Sequence, residues 1–451
     1  MPAQPQPRSL PDTWLWPHSA PGHVALRLAD QHFIQVLERG PAALHQAVQR
    51  QALQRLLAHA RQSSPWWRDW LAGSQLHILA RLPVLQREQL RASVADAGGP
   101  LPMPPAHGGA RKGLTSGSSG VPVDFYVSAL AQRVSDSHYL ADHARHGRDL
   151  RRLFAGLLTR FAPHPGQPHQ VITGDRWLGM GPMVGRNSQQ GTIREHAQWL
   201  HDTGAAYLNT APSVLRGMLD EIESGAVSPP AGLEQVLTIG ETVDDVLRQR
   251  TRALTGASIR DRYTCEEIGP VALQCPHDAS ETPAYHVCVG NAVVETVDES
   301  DSPCTPGQAG RVLVTGLHHW ATPVIRYDIG DIAALHPRCP ACGAQVPSLT
   351  QLLGRKRFLV RLPSGERKYL KLTGKDWLSI LPVREHRLVQ DSPSHMLVEL
   401  VVERPLTASD HETAQAMLAR VVDPSFTFEI RQVDRIAWGP GIKRQDVLSL
   451  V

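Results

Sequence analysis

With 451 residues, 41% of them apolar and 20% charged, the chain is long enough for a large buried core and has the composition of a globular protein. Its 46 basic and 43 acidic residues nearly cancel, and no long basic run marks a nucleic-acid face. Met1 to Arg8 lack the apolar core of a secretion signal, no stretch approaches the ~20 apolar residues that span a bilayer, and six cysteines are too few for a disulfide framework. The expectation is a cytoplasmic protein of two or three units, with no nucleic-acid or membrane partner.

In chain order, the Pro-rich residues 1 to about 20 read as a loose surface segment. Leucine and alanine recur at helical spacing from Ala42 to Arg61, and Ser64-Pro65 offers a second helix start ahead of Trp66, Trp67 and Trp70, which read as core. Leu82-Pro83-Val84-Leu85 is a short connection to a helix at Arg87. Gly98 to Gly113, rich in Gly, Pro and Ala, leads to Leu114-Thr115-Ser116-Gly117-Ser118-Ser119-Gly120-Val121-Pro122-Val123. A Gly/Ser linker has this composition too, but β-prone flanks predict strand on either side of a tight loop. Glycines that free backbone N–H groups, set among hydroxyls that rotate to follow oxygens, suit a phosphate. The lysine of the common nucleotide loop does not follow.

Ala129 to His146 reads as a helix polar on one face, Gly156 to Leu158 and Val171 to Thr173 as buried strands. Tyr207 to Thr210 reads as a strand that ends at the helix start Pro212-Ser213, with helical periodicity to about Glu223. Val236 to Ile239, stopped by Gly240-Glu241, suits a buried strand ending at a site edge. This alternation predicts an α/β portion between 150 and 260, followed by a β-rich one with strands at Val293 to Val297 and Arg311 to Val314. Beyond Gly354-Arg355, strand, helix and strand at Met396 to Val402, Ser409 to Val422 and Phe426 to Val433 predict a small α+β domain. No internal repeat is present. Cys339-Pro340-Ala341-Cys342-Gly343 is a thiolate knuckle of the kind that wraps tetrahedral Zn²⁺, and it needs two further ligands.

Taken together, the loop Thr115 to Gly120, Tyr263-Thr264-Cys265-Glu266-Glu267, Arg326-Tyr327-Asp328-Ile329-Gly330-Asp331, Gly354-Arg355 and Lys443 resemble, in order and separation, the adenylate-forming superfamily of acyl-CoA synthetases, peptide-synthetase adenylation domains and luciferases. The resemblance is to the phenylacetate–CoA ligase-like branch and covers nearly the whole chain. The chain departs from the wider superfamily at Gly354-Arg355-Lys356-Arg357-Phe358, without the usual acidic pair, and at Val123, where many relatives have lysine.

The resemblance implies an α/β fold: a large AMP-binding domain with mixed sheets over residues 1–353, then a mobile α+β lid over 354–451 that turns between two half-reactions. It gives Thr115, Ser116, Gly117, Ser118, Ser119 and Gly120 the pyrophosphate portion of ATP, and it gives Asp331, at the turn that a Gly-Asp pair predicts, the ribose hydroxyls. Gly240, Glu241 and Tyr263 would line the adenine site, and Arg355 would touch the ribose or fix the hinge. Glu267 would hold Mg²⁺, with Glu266 as rival, and Lys443 would neutralise charge during adenylation. Cys275 and His286 would complete a structural zinc site with Cys339 and Cys342, with His277 and Cys288 close enough to compete.

The activity implied is activation of a carboxylic acid, aromatic or otherwise apolar, as an acyl-adenylate, then transfer to CoA or to the phosphopantetheine thiol of a carrier protein; a homodimer is admitted. Transfer to an amine, or a zinc-stapled binding relative without turnover, are the alternatives.

Overall fold

The computed structural model describes residues 21–114, 123–158, 161, 170–171, 178, 180–188, 191–280, 282–352, 359–363, 367–369, 377, 379–437 and 447–451. Contacts divide the chain into two units. One comprises Met1–Gln35, Asp136–Thr238 and Thr251–Arg260, the other Val36–Ser135, Ile239–Arg250 and Asp261–Val451.

The first unit is α/β, as its alternating pattern predicts. The strand Tyr207–Thr210 lies parallel to Phe154–Leu157 and to Gln235–Ile239, and Phe154–Leu157 is also parallel to Met183–Arg186. Every residue of Phe154–Leu157 and Tyr207–Thr210 is buried, as parallel strands covered on both faces must be. Parallel neighbours need crossovers, and the helices Ile193–Thr203 and Pro212–Glu223 supply those that lead into Tyr207–Thr210 and Gln235–Ile239. Thr192 and Glu195 cap the first helix reciprocally, while Pro212 occupies the first turn of the second.

The second unit begins within the helix Pro21–Arg39, at Val36, and continues through the helices Ala42–Ser63, Pro65–Trp70 and Arg87–Ala97. The Ser64 hydroxyl caps the short middle helix by accepting from the Trp67 N–H at 3.2 Å. The tryptophans pack as expected: Trp67 is 1% exposed, and Trp66 stacks on Trp70 with ring centroids 5.1 Å apart. These helices share one core with the β-rich part of the chain, in which Leu56, Leu57, Trp67, Leu85 and Leu90 join Tyr263, Tyr285, Tyr327 and Leu349. Among the described residues no helix is long and apolar enough to cross a membrane.

In that β-rich part, hydrogen bonding runs from Ala292–Val297 through Ala309–Gly316, Tyr327–His336, Ser348–Thr350, Tyr285–Val287 and Gly269–Gln274 to Ser258–Cys265. The pairs are antiparallel. Asp331, expected at a turn, sits instead inside the strand Tyr327–His336, beside Gly330 at φ +82°. A Gly-Asp pair usually marks a turn; here the left-handed glycine re-aims the strand without ending it.

The C-terminal stretch has its own core, from Val360, Trp377 and Leu388 to Leu418 and Phe426. Among its described strands, Leu359–Arg361 pairs with Arg367–Tyr369, and a separate sheet of four is ordered Thr427–Gln432, His395–Val402, Val383–Ser392, Val447–Ser449, with the helix Ala408–Val421 joining two of them. The sequence pattern misses Val383–Ser392, whose polar residues blur its alternation. The proposed 353/354 boundary lies outside the described residues.

Candidate functional site

The Gly/Ser loop joins two antiparallel strands, Ala110–Leu114 and Asp124–Ser128, with Leu114 opposite Asp124. The predicted strand flanks are therefore present, while Thr115, Ser116, Gly117, Ser118, Ser119 and Gly120 lie outside the described residues. Val123 is wholly buried, in one core with Leu85, Tyr263 and Tyr327. Apolar packing accounts for valine there; a lysine would bury a charge.

Of the two adjacent acids, Glu267 is the buried one, 7% exposed, while Glu266 is exposed. The Tyr327 hydroxyl donates to Glu267 Oε1 at 3.1 Å. Burial and the Glu267 charge push the Tyr327 phenol well above its ordinary range, so it remains a donor. The turn that carries Glu267 is held through the next carbonyl: Ile268 O accepts from His319 Nε2 at 3.1 Å and from Asn291 Nδ2 at 3.2 Å. A carbonyl can only accept, so the His319 proton resides on Nε2. Burial, reinforced by His318, lowers its pKa to about 4 and keeps the ring neutral.

Asp331 is fixed from two directions. Its Oδ2 accepts from the Tyr263 hydroxyl at 2.8 Å, and the Gly330 N–H before it donates to Asp328 Oδ1 at 2.9 Å. Asp328 is in turn held by Arg311 Nη1 at 2.9 Å. Upstream, Arg326 is a buried non-glycine residue at φ +47°, its N–H bonded to Thr315 Oγ1 at 2.9 Å and its guanidinium to Leu82 O and Glu295. Such a backbone persists only where the surroundings over-determine it. The Cys265 thiol is pushed up by burial and by Glu267, Asp331 and Glu266, and so stays protonated beside the acids.

Gly240, at φ +80° and exposed, ends the strand Gln235–Ile239 at its C-terminal edge, with Glu241 half-buried beside it. The carboxyl ends of parallel strands are where α/β sheets bind ligands. Arg355 and Lys443 lie outside the described residues.

The thiolate knuckle finds its partners. One ligand atom each from Cys275, His286, Cys339 and Cys342 lies within 4.8 Å of all the others. A tetrahedral metal with bonds of about 2.3 Å has its corners about 3.8 Å apart, so one ion would draw these four in by a small shift. Cys275 follows the strand Gly269–Gln274, and His286 lies in its neighbour Tyr285–Val287. At the knuckle the Gly343 N–H, at φ +74°, donates to Cys339 O at 2.9 Å. Cys342 Sγ is 3.4 Å from His286 Nε2. Burial pushes the Cys339 thiol up, but the His286 ring and the N–H groups of Cys342 and Ala341 outweigh it and hold it down to about 6. His277 is exposed and Cys288 buried, and neither belongs to the group.

Sequence reasoning missed His319, Asn291 and Arg311, whose single residues carry no motif; Tyr327 stood in a motif without a role.

No protein-family model matches the chain. A phenylacetate-coenzyme A ligase from Thermus thermophilus is 26% identical over 339 residues, which cover 71% of this chain and 72% of that protein. Among solved structures, 2-hydroxyisobutyryl-CoA ligase in the postadenylation state with 2-HIB-AMP superposes with a TM-score of 0.71 at 19% identity, over 91% of this chain and 90% of that one. The same enzyme with 2-HIB-AMP and CoA in the thioesterification state gives 0.61 at 20% identity, over 92% and 91%. The structural likenesses show that the fold is shared.

Proposed function

We propose that this chain, an adenylate-forming protein of the phenylacetate–CoA ligase-like branch, is an AMP-forming acid–thiol ligase. A carboxylate oxygen of the acid attacks the α-phosphorus of ATP, the bond to pyrophosphate breaks, and an acyl-adenylate remains. The CoA thiol then attacks the acyl carbon, loses its proton and expels AMP. The observation that carries this reading is that residues of two separate motifs, Tyr263 with Asp331 and Tyr327 with Glu267, are hydrogen-bonded in one place.

In this reading Asp331 accepts from the ribose hydroxyls, and Tyr263, Gly240 and Glu241 line the adenine. Thr115, Ser116, Gly117, Ser118, Ser119 and Gly120 surround the pyrophosphate portion, and Arg355 touches the ribose or the hinge. Lys443 neutralises charge that builds only in the adenylation transition state. Glu267, a buried carboxylate, is the oxygen ligand a hard cation such as Mg²⁺ takes. Residues 354–451 act as the lid. The acid is aromatic or otherwise apolar, and a carrier-protein thiol is the alternative acceptor to CoA. The enzyme works in the cytoplasm.

Cys275, His286, Cys339 and Cys342 fit Zn²⁺ by number, softness and closeness. Four protein ligands leave no open position, so the metal's contribution is to staple the fold.

Pyrophosphate release with a panel of carboxylic acids, with and without CoA, tests the function. Release with a subset of apolar acids and thioester formation only with a thiol are expected. Release coupled to an amine in place of a thiol would make it an amide ligase, and no release with any acid would overturn the reading.

A further inference from the structure

The phenols and carboxylates are paired crosswise. Tyr263 and Glu267 belong to one stretch, the strand Ser258–Cys265 and the turn after it, while Tyr327 and Asp331 belong to the strand Tyr327–His336. Yet Tyr263 donates to Asp331 at 2.8 Å and Tyr327 donates to Glu267 at 3.1 Å. Each stretch lends its phenol to the other's carboxylate.

The two stretches are not neighbours in the sheet. Gly269–Gln274, Tyr285–Val287 and Ser348–Thr350 stand between them in the hydrogen-bonding order. Four spacings of about 4.8 Å would set them roughly 19 Å apart in a flat sheet. The sheet therefore curls, and these two bonds tie its approaching strands side chain to side chain. Both ends are anchored independently: Arg311 and Asp328 fix the backbone before Asp331, and His319 and Asn291 fix the carbonyl after Glu267. A shift of either carboxylate is thus passed to the other through a phenol instead of being absorbed in a loose loop.

We propose that Tyr263 and Tyr327 form a reciprocal brace that couples the ribose carboxylate Asp331 to the metal carboxylate Glu267, so that nucleotide and Mg²⁺ each strengthen binding of the other. This rests on the adenylating reading above. Ribose hydroxyls that settle on Asp331 hold its strand, and with it the Tyr327 hydroxyl that orients Glu267. A cation on Glu267 acts in the opposite direction through the same two bonds, and linkage makes the effects equal. Both tyrosines are positioning residues by their hydroxyls.

Calorimetric binding to the full chain tests this with Tyr263→Phe, Tyr327→Phe and the double variant, each of which removes only an oxygen. The probes are AMP without added Mg²⁺, and ATP at increasing Mg²⁺. The brace predicts crossed effects. Tyr327→Phe, whose lost hydroxyl bonds Glu267, weakens AMP several-fold, and Tyr263→Phe, whose lost hydroxyl bonds Asp331, raises the Mg²⁺ needed for half-maximal ATP binding several-fold. The double variant loses less than the product of the two, because breaking either bond already uncouples the carboxylates.

If each variant affects only the ligand of the carboxylate it touches, with multiplying losses, the brace is refuted while the adenylating reading stands. Lowered unfolding midpoints with unchanged affinities refute it equally, by showing a merely structural role. If the parent chain binds neither nucleotide, the reading and the brace fall together.

Discussion

His319 Nε2 donates to the carbonyl of Ile268 at 3.1 Å, one residue beyond Glu267, from a ring that burial keeps neutral. Its pKa in the folded chain, about 4, lies below the 6.5 of an unfolded histidine. Between these values the unfolded chain takes up a proton that the folded chain refuses. Stability is therefore unaffected by this group above about pH 6.5 and is lost as pH falls toward 4, by an amount on the order of 3 kcal/mol at the lower end. Denaturant unfolding from pH 7 to pH 4 should be less steep in pH for His319→Gln, which retains a donor and cannot charge. Equal pH slopes would place the acid sensitivity elsewhere.

One zinc per chain is expected from elemental measurement of protein purified without chelators. Cys339→Ser and Cys342→Ser should lower unfolding stability by several kcal/mol and leave ATP affinity within a few-fold, because a metal held by these residues would staple the fold. A zinc content near zero would remove the site from the account.

In the proposed function Asp331→Ala would remove the acceptor for the ribose hydroxyls. Charge-assisted bonds of this kind contribute about 1.5–3 kcal/mol, so ATP should weaken roughly ten- to a hundredfold while the acid binds as before. Asp328→Asn, which disturbs the Gly330 N–H partner and the Arg311 pair, should show a smaller loss in the same direction. Titrations with unchanged nucleotide affinity would move the ribose site.

Lys443 is assigned by resemblance to the adenylation step alone. Loss of one preorganised donor typically slows a reaction by ~10²–10³, and Lys443→Ala should slow adenylate formation by that much while sparing transfer from a supplied acyl-adenylate to CoA. The neighbouring Arg444→Ala serves as control. Equal loss of both half-reactions would end the assignment and the turning lid with it.

Much of the α/β portion could be read from the chain because its signals are local: the strand Tyr207–Thr210 ends where Pro212 opens a helix, and Gly240 ends Gln235–Ile239. The zinc candidates were legible as a spacing plus a resemblance, and the structure draws the same four residues together. What stayed hidden depends on the curling of the sheet. Asp331 looked like a turn residue because Gly330 precedes it, and nothing in Tyr263 or Tyr327 tells which carboxylate each will meet across three intervening strands. His319 and Asn291 were invisible for the same reason, as single residues far along the chain from the Ile268 carbonyl they hold.

In the proposed reaction the acid passes through an acyl-adenylate, and the fate of its oxygen distinguishes that route from others. With a carboxylic acid labelled with ¹⁸O in both carboxylate oxygens, together with ATP and CoA, attack on the α-phosphorus followed by thiolysis leaves one labelled oxygen on AMP. Mass spectrometry of the nucleotide should therefore show AMP carrying one ¹⁸O for each thioester formed. Label found in inorganic phosphate, with ADP as the nucleotide product, would mean an acyl-phosphate route and would contradict the account.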